Sequence, residues 1–171
     1  MPSIDVNGTK LSYTESGSGQ AVLLLHSSVS SSAQWRALRA DIETRYRVFA
    51  LDLYGYGDTD PWSGHRALTL ADEAALVGAL IERCDGPVHL VGHSYGGAVA
   101  LRVALHRPER IAAMTLVEPV AFNLLRDSGK DAPALLEEVG QVASTVAEGA
   151  RTGDTHGAMA AFVDYWSGPG A

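Results

Sequence analysis

The chain has 171 residues, 46% of them hydrophobic, and a formal net charge of -7 with a pI near 5.2. That length carries one domain with a sizeable core, and the acidic balance, without a basic tract or basic helix face, argues against nucleic acid or an anionic membrane surface as partner. A small neutral or soluble substrate fits better.

The opening "MPSIDVNGTKLSY" has neither a basic n-region nor an apolar h-region, so no signal peptide is expected. Apolar runs such as Ala21 to Leu25 fall far below the roughly 20 residues of a bilayer span. Alternation over Ser3 to Val6 and Lys10 to Glu15, around the turn dipeptide Asn7-Gly8, predicts a β-hairpin. "AVLLLH" at 21–26 is a continuous apolar strand, buried on both faces, with a Ser-rich loop after it. Trp35, Leu38 and Ile42 share one face of a helix over 33–44, and "YRVFALD" at 46–52 is a second buried strand. An amphipathic helix follows over 68–84, with Thr69 as its N-cap and Glu73 close behind. Then come a strand from Pro87 to Val91, a helix from Ser94 to His106 and a strand from Ile111 to Glu118. Strands alternating with helices give an α/β domain with a mainly parallel sheet. Residues 1–119 read as this core. Residues 120–171 read as a helical cap segment, carrying "APALLEEVGQVASTVAEGA" and "HGAMAAFVDYW" but no strand, and ending in the turn-like "SGPGA". Cys84 is the sole cysteine, which excludes an intramolecular disulfide, makes the cytoplasm the expected compartment, and at a helix end reads as an apolar filler.

Chemistry concentrates in Gly92-His93-Ser94-Tyr95-Gly96, between a predicted strand and a predicted helix. This is the pattern of a nucleophile elbow, a sharp turn that lifts a serine hydroxyl above a sheet. Together with "LLLHSSVSSSAQW", "ALDLYGYGDTD" (Asp52, Gly55, Gly57, Thr59) and "HRPERIAAMTLVEP", it resembles the α/β-hydrolase superfamily over nearly the whole chain. The resemblance implies a serine hydrolase with Ser94 as nucleophile and the backbone N–H groups of Tyr95 and Ser28 as oxyanion-hole donors. Ser27 stands where the family usually has glycine, which leaves the carbonyl orientation behind the hole open. By the same resemblance His26 supports the oxyanion loop, His93 is structural with its side chain directed away from the site, and Asp52 forms a turn. No metal and no cofactor are implied.

Glu118 ends the predicted sixth strand, on the edge where α/β sheets place their chemistry. It reads either as the acid of the triad or as a carboxylate lining the pocket. The base is a different matter. In the family a histidine follows the acid on a loop after the last strand, and none of His65, His89, His106 and His156 occupies a matching position. The last two strands are missing as well, so the fold expected is one truncated before them, with an open edge at the sixth strand. A C-terminal fragment or second chain is the expected partner, and without it the 171 residues should be inactive. Serine at position 94 argues against the epoxide and halide branches of the superfamily, which use aspartate, leaving a small ester, thioester or C–C substrate. The rival reading is a non-catalytic module that binds a ligand or a partner through this fold.

Overall fold

The computed structural model describes residues 1–127, 129 and 132–169. It divides into two compact units, Met1–Val120 and Ala121–Ala171.

The first unit is built on a six-stranded sheet of order β1-β2-β4-β3-β5-β6. The strands are β1 Ser3–Val6, β2 Thr9–Ser16, β3 Ala21–Leu25, β4 Arg47–Leu51, β5 Val88–His93 and β6 Ile111–Val117. β1, β2 and β4 pair antiparallel, whereas β4, β3, β5 and β6 run parallel. The Asn7-Gly8 turn works because both residues adopt positive φ, 54° and 83°, so that its twist matches that of the flanking strands.

β3 is buried along its whole length, and alternation divides its side chains between two cores. Leu23 and Leu25 join Phe49 and Leu51 against Leu76, Val77, Leu80, Val99 and Val103. The last five come from α2 (Leu70–Ile81) and α3 (Tyr95–His106). On the opposite face Val22, Leu24, Val48 and Ala50 pack with Trp35, Leu38 and Ile42. The single helix expected over 33–44 is therefore two pieces, a 3-10 turn at Ser32–Trp35 and α1 at Arg36–Ile42, which place its apolar stripe as expected.

α2 corrects one expectation. Thr69 is the N-cap, but Asp72 answers it, its carboxylate accepting from the Thr69 N–H at 2.9 Å and hydroxyl at 2.6 Å. Glu73 instead turns inward and is fully buried.

β6 differs from its neighbours. Among the described residues it pairs only with β5, and four consecutive residues, Ala112 to Thr115, are exposed, as is Val117. The parallel run thus ends on an uncovered apolar strand. The second unit contains α4 Ala132–Thr152 and α5 Thr155–Ser167, with no strand among the described residues. Gly149 allows the two helices to approach closely, since a Cβ there would clash with the Ala158 methyl. Phe122 stacks on Trp166. Of the turn read at the chain end, Gly170 and Ala171 lie outside the described residues. No helix among the described residues is long and apolar enough to cross a membrane.

Candidate active site

Ser94 sits between β5 and α3 with φ 51° and ψ -114°, a conformation that costs a non-glycine residue about 1–3 kcal/mol. Backbone bonds on both sides of the residue hold it there. Its N–H donates to the Val117 carbonyl at 2.9 Å, and its own carbonyl accepts from Gly97, Val120 and Ala98 at 2.9, 3.1 and 3.2 Å. The flanking glycines are required by space. A Cβ on Gly92 would fall 2.5 Å from the Gly96 carbonyl oxygen, and one on Gly96 would fall 2.5 Å from that of His26. The strand, the tight turn and the helix can meet only where those positions are bare.

The Ser27 question has a geometric answer. His26 is fully buried; its Nε2 lies 3.1 Å from the Leu53 N, which can only donate, so the ring proton is on Nδ1 and goes to the Ser27 carbonyl at 2.7 Å. In a trans peptide the C=O and the following N–H point in opposite directions. Gripping the Ser27 carbonyl therefore fixes the direction of the Ser28 N–H. The preceding peptide is held in the same way, its His26 carbonyl accepting from the Gly96 N–H at 3.1 Å and its Ser27 N–H donating to Gln34 Oε1 at 3.0 Å. Ser27 needs no positive φ for this; Val29, two residues on, takes it at 57°. Among the described residues the N–H groups of Ser28 and Tyr95 meet no acceptor.

Burial lowers the His26 pKa, against the opposing pull of the Ser27 carbonyl and the Asp52 charge. With both nitrogens bound to backbone, this imidazole has no lone pair to offer Ser94. His93 lends its Nδ1 to Gln34 Nε2 at 3.0 Å. His89 packs its ring against Tyr46, while His65, His106 and His156 are exposed. No imidazole among the described residues is hydrogen-bonded to the Ser94 hydroxyl. Glu118 lies one residue past β6, exposed, with φ 44°.

Asp52 is buried and structural in its contacts. Its carboxylate accepts from the Ser32 N–H at 2.7 Å and the Asp58 N–H at 3.2 Å. Gly57, at φ 52°, presses against that carboxylate where any Cβ would collide. Thr59 donates its hydroxyl to the Asp52 carbonyl at 2.8 Å and accepts the Ser12 N–H at 2.9 Å. The spacing Asp-x-x-Gly-x-Gly-x-Thr is thus a closed loop tying β4 to β2 and to the 3-10 turn.

Two residues near the elbow were not read as part of the site in the sequence. Gln34 carried no signal. Glu73 did, because a carboxylate occupies the stripe of Leu76, Val77 and Leu80 on α2. Its oxygens accept from the Tyr95 hydroxyl at 3.2 Å and the Tyr54 N–H at 3.3 Å, and burial raises its pKa to about 7 despite both bonds. Burial, together with the neighbouring Glu73, likewise pushes the Tyr95 phenol up.

The profile of the α/β hydrolase fold matches residues 20–169. The chain belongs to the α/β-hydrolase family. The chain is 41% identical over 113 residues to epoxide hydrolase 3 of Siraitia grosvenorii, covering 65% of itself and 36% of that protein. It is 36% identical over 107 residues to lipase LipV of Mycobacterium tuberculosis, covering 63% and 40%. Among solved structures, a mutant of the meta-cleavage product hydrolase from Pseudomonas fluorescens IP01 superposes with TM-score 0.62 at 30% identity, over 67% of this chain and 43% of that one. The chain spans well under half the length of these relatives.

Proposed function

We propose that this hydrolase chain carries the nucleophile half of a serine hydrolase that cleaves a small ester, thioester or C–C bond through an acyl-enzyme. Ser94 attacks the substrate carbonyl, and the N–H groups of Ser28 and Tyr95 receive the oxyanion. The observation that carries this reading is Ser94 itself, held at φ 51° between a strand and a helix. Two amides with no competing acceptor beside it supply the second element of acyl transfer, worth about 3 kcal/mol per donor to a tetrahedral intermediate.

The base comes, in this reading, from residues outside the 171, on strands that pair with the open edge of β6. Support lies in the uncovered apolar residues of that strand and in the engagement of His26 and His93 elsewhere. Glu118, at the same end of the sheet, is the candidate acid. The substrate is small and neutral or soluble, in keeping with the charge of -7.

The test joins labelling to turnover. A fluorophosphonate should label Ser94 slowly in the 171-residue chain and not at all in Ser94→Ala. Hydrolysis of p-nitrophenyl acetate should match that of Ser94→Ala until a C-terminal segment carrying the remaining strands and a histidine is supplied. Labelling that persists in Ser94→Ala would remove the nucleophile assignment. Robust Ser94-dependent turnover by the chain alone would place the base among its six histidines.

A further inference from the structure

We propose that Gln34 is a positioning residue for the oxyanion site, its amide clamping Ser27 to His93 and so fixing the Ser28 N–H relative to Ser94. The proposal rests on the reading of Ser28 and Ser94 given above.

The clamp has three hydrogen bonds. Gln34 Oε1 accepts from the Ser27 N–H at 3.0 Å and from the Ser27 hydroxyl at 2.9 Å. A backbone N–H can only donate, so the oxygen must face Ser27 and the amide nitrogen must face His93. Gln34 Nε2 then donates to His93 Nδ1 at 3.0 Å, which puts the proton of a neutral His93 on Nε2. One planar amide thus joins the oxyanion loop to the residue next to the nucleophile, across 59 positions of sequence.

Gln34 is itself well placed to act as a reference point. It lies in the 3-10 turn, whose first residue gives its N–H to the buried Asp52 and whose N-cap hydroxyl accepts from Ala33. The Gln34 N–H donates to the Ser31 carbonyl at 3.0 Å. The serine in place of glycine at position 27 acquires a purpose, because its hydroxyl adds a second bond to the same oxygen. Of the two peptides that lead to the Ser28 N–H, His26 holds one and Gln34 the other, so loss of Gln34 frees the Ser27 N–H end alone.

Two variants separate positioning from bulk packing. Gln34→Met keeps the length of the side chain and removes every hydrogen bond. Gln34→Glu keeps an acceptor for Ser27 but offers His93 a carboxylate oxygen, which requires a proton on Nδ1. The readouts on the 171-residue chain are the imidazole nitrogen shifts of His93 and the hydrogen exchange of the Ser27 amide. Wild type should show Nε2–H in neutral His93. Gln34→Met should mix the tautomers and speed Ser27 exchange about tenfold or more, as expected for a lost bond to a part-buried donor. Gln34→Glu should restore the Ser27 protection with the His93 proton moved to Nδ1. Exchange in β3 should stay unchanged throughout. Fluorophosphonate labelling of Ser94 should slow about tenfold in Gln34→Met, less than the 10²–10³ expected for removing an oxyanion donor outright. An unchanged tautomer and unchanged Ser27 exchange in Gln34→Met overturn the clamp, whatever the labelling shows. Altered exchange with an unaltered labelling rate overturns its bearing on the oxyanion site. Absence of Ser94-dependent labelling in the wild type sinks the nucleophile reading instead, and leaves the clamp to be judged by its spectra.

Discussion

Glu73→Gln isolates the buried carboxyl behind the elbow. The side chain is fully buried, and its pKa is raised from 4.5 to about 7, with burial the largest cause. The Tyr54 N–H and Tyr95 hydroxyl oppose the rise, and the adjacent Asp72 charge adds to it. A folded-state pKa above the unfolded one means that the fold prefers the protonated acid. The associated stability is complete below pH 4.5 and is withdrawn as pH climbs through about 7. Each pH unit in that interval costs up to about 1.4 kcal/mol, so ionisation removes about 3 kcal/mol by pH 8. Glutamine has the same shape and does not titrate. Urea unfolding of both proteins at pH 5 and pH 8 should therefore give a difference that grows by about 2.5 kcal/mol in favour of Glu73→Gln at the higher pH. Other ionisable groups are common to the two proteins and cancel in the comparison. A difference that stays constant between the two pH values would refute the reasoning and mean that Glu73 is ionised in the fold at little cost.

Gly96→Ala places a Cβ 2.5 Å from the His26 carbonyl oxygen, a clash with backbone that should cost about 3 kcal/mol or more in a thermal melt. For Asp72, the Arg66 guanidinium and the Thr69 hydroxyl hold the carboxyl well below its ordinary range. Its contribution is therefore present above the ordinary pKa of 3.8 and fades as pH falls through the lower folded value, so the Tm deficit of Asp72→Asn should be steady from pH 7 to 5 and shrink below 3.8. In the proposed hydrolase, assembled with a C-terminal segment, Glu118→Gln should lower kcat by about 10⁴ if the carboxylate orients the base, and by less than about tenfold if it merely lines the pocket.

Period and turn chemistry made the sheet legible. The runs 21–25 and 48–51 are apolar throughout, and the strands they form are covered on both faces. The Asn7-Gly8 turn and the glycines around Ser94 announced themselves because each answers a local geometric demand. The split of the helix after Ser32 was not legible, since a 3-10 turn and an α-helix bury nearly the same stripe. Gln34 was invisible for another reason. Its role depends on an amide meeting Ser27 and His93 from a distant part of the chain, and nothing in its own neighbourhood encodes that. Glu73 lay between these cases, a carboxylate on an apolar stripe that reads as an anomaly only once the inward face of α2 is fixed.

The two most strained polar residues of the site are held by one set of bonds. Ser94 at φ 51° follows β5, and Glu118 at φ 44° follows β6, strands that pair in register from His93↔Val117 back to His89↔Ala113, with a bulge before His89. The Ser94 N–H donates to the Val117 carbonyl, and the Val120 N–H donates to the Ser94 carbonyl, so the two bonds bracket Glu118. Each bond contributes about 1 kcal/mol net, comparable to the lower end of the strain at one such residue. The remainder has to come from the β5–β6 ladder and from the contact of Gly97 with Pro119, where a Cβ would lie 2.9 Å from the proline ring. β6 is therefore both the support of Ser94 and, among the described residues, the edge strand of the parallel run. The backbone support of Ser94 and the edge at which the proposed additional strands would pair therefore lie on the same strand.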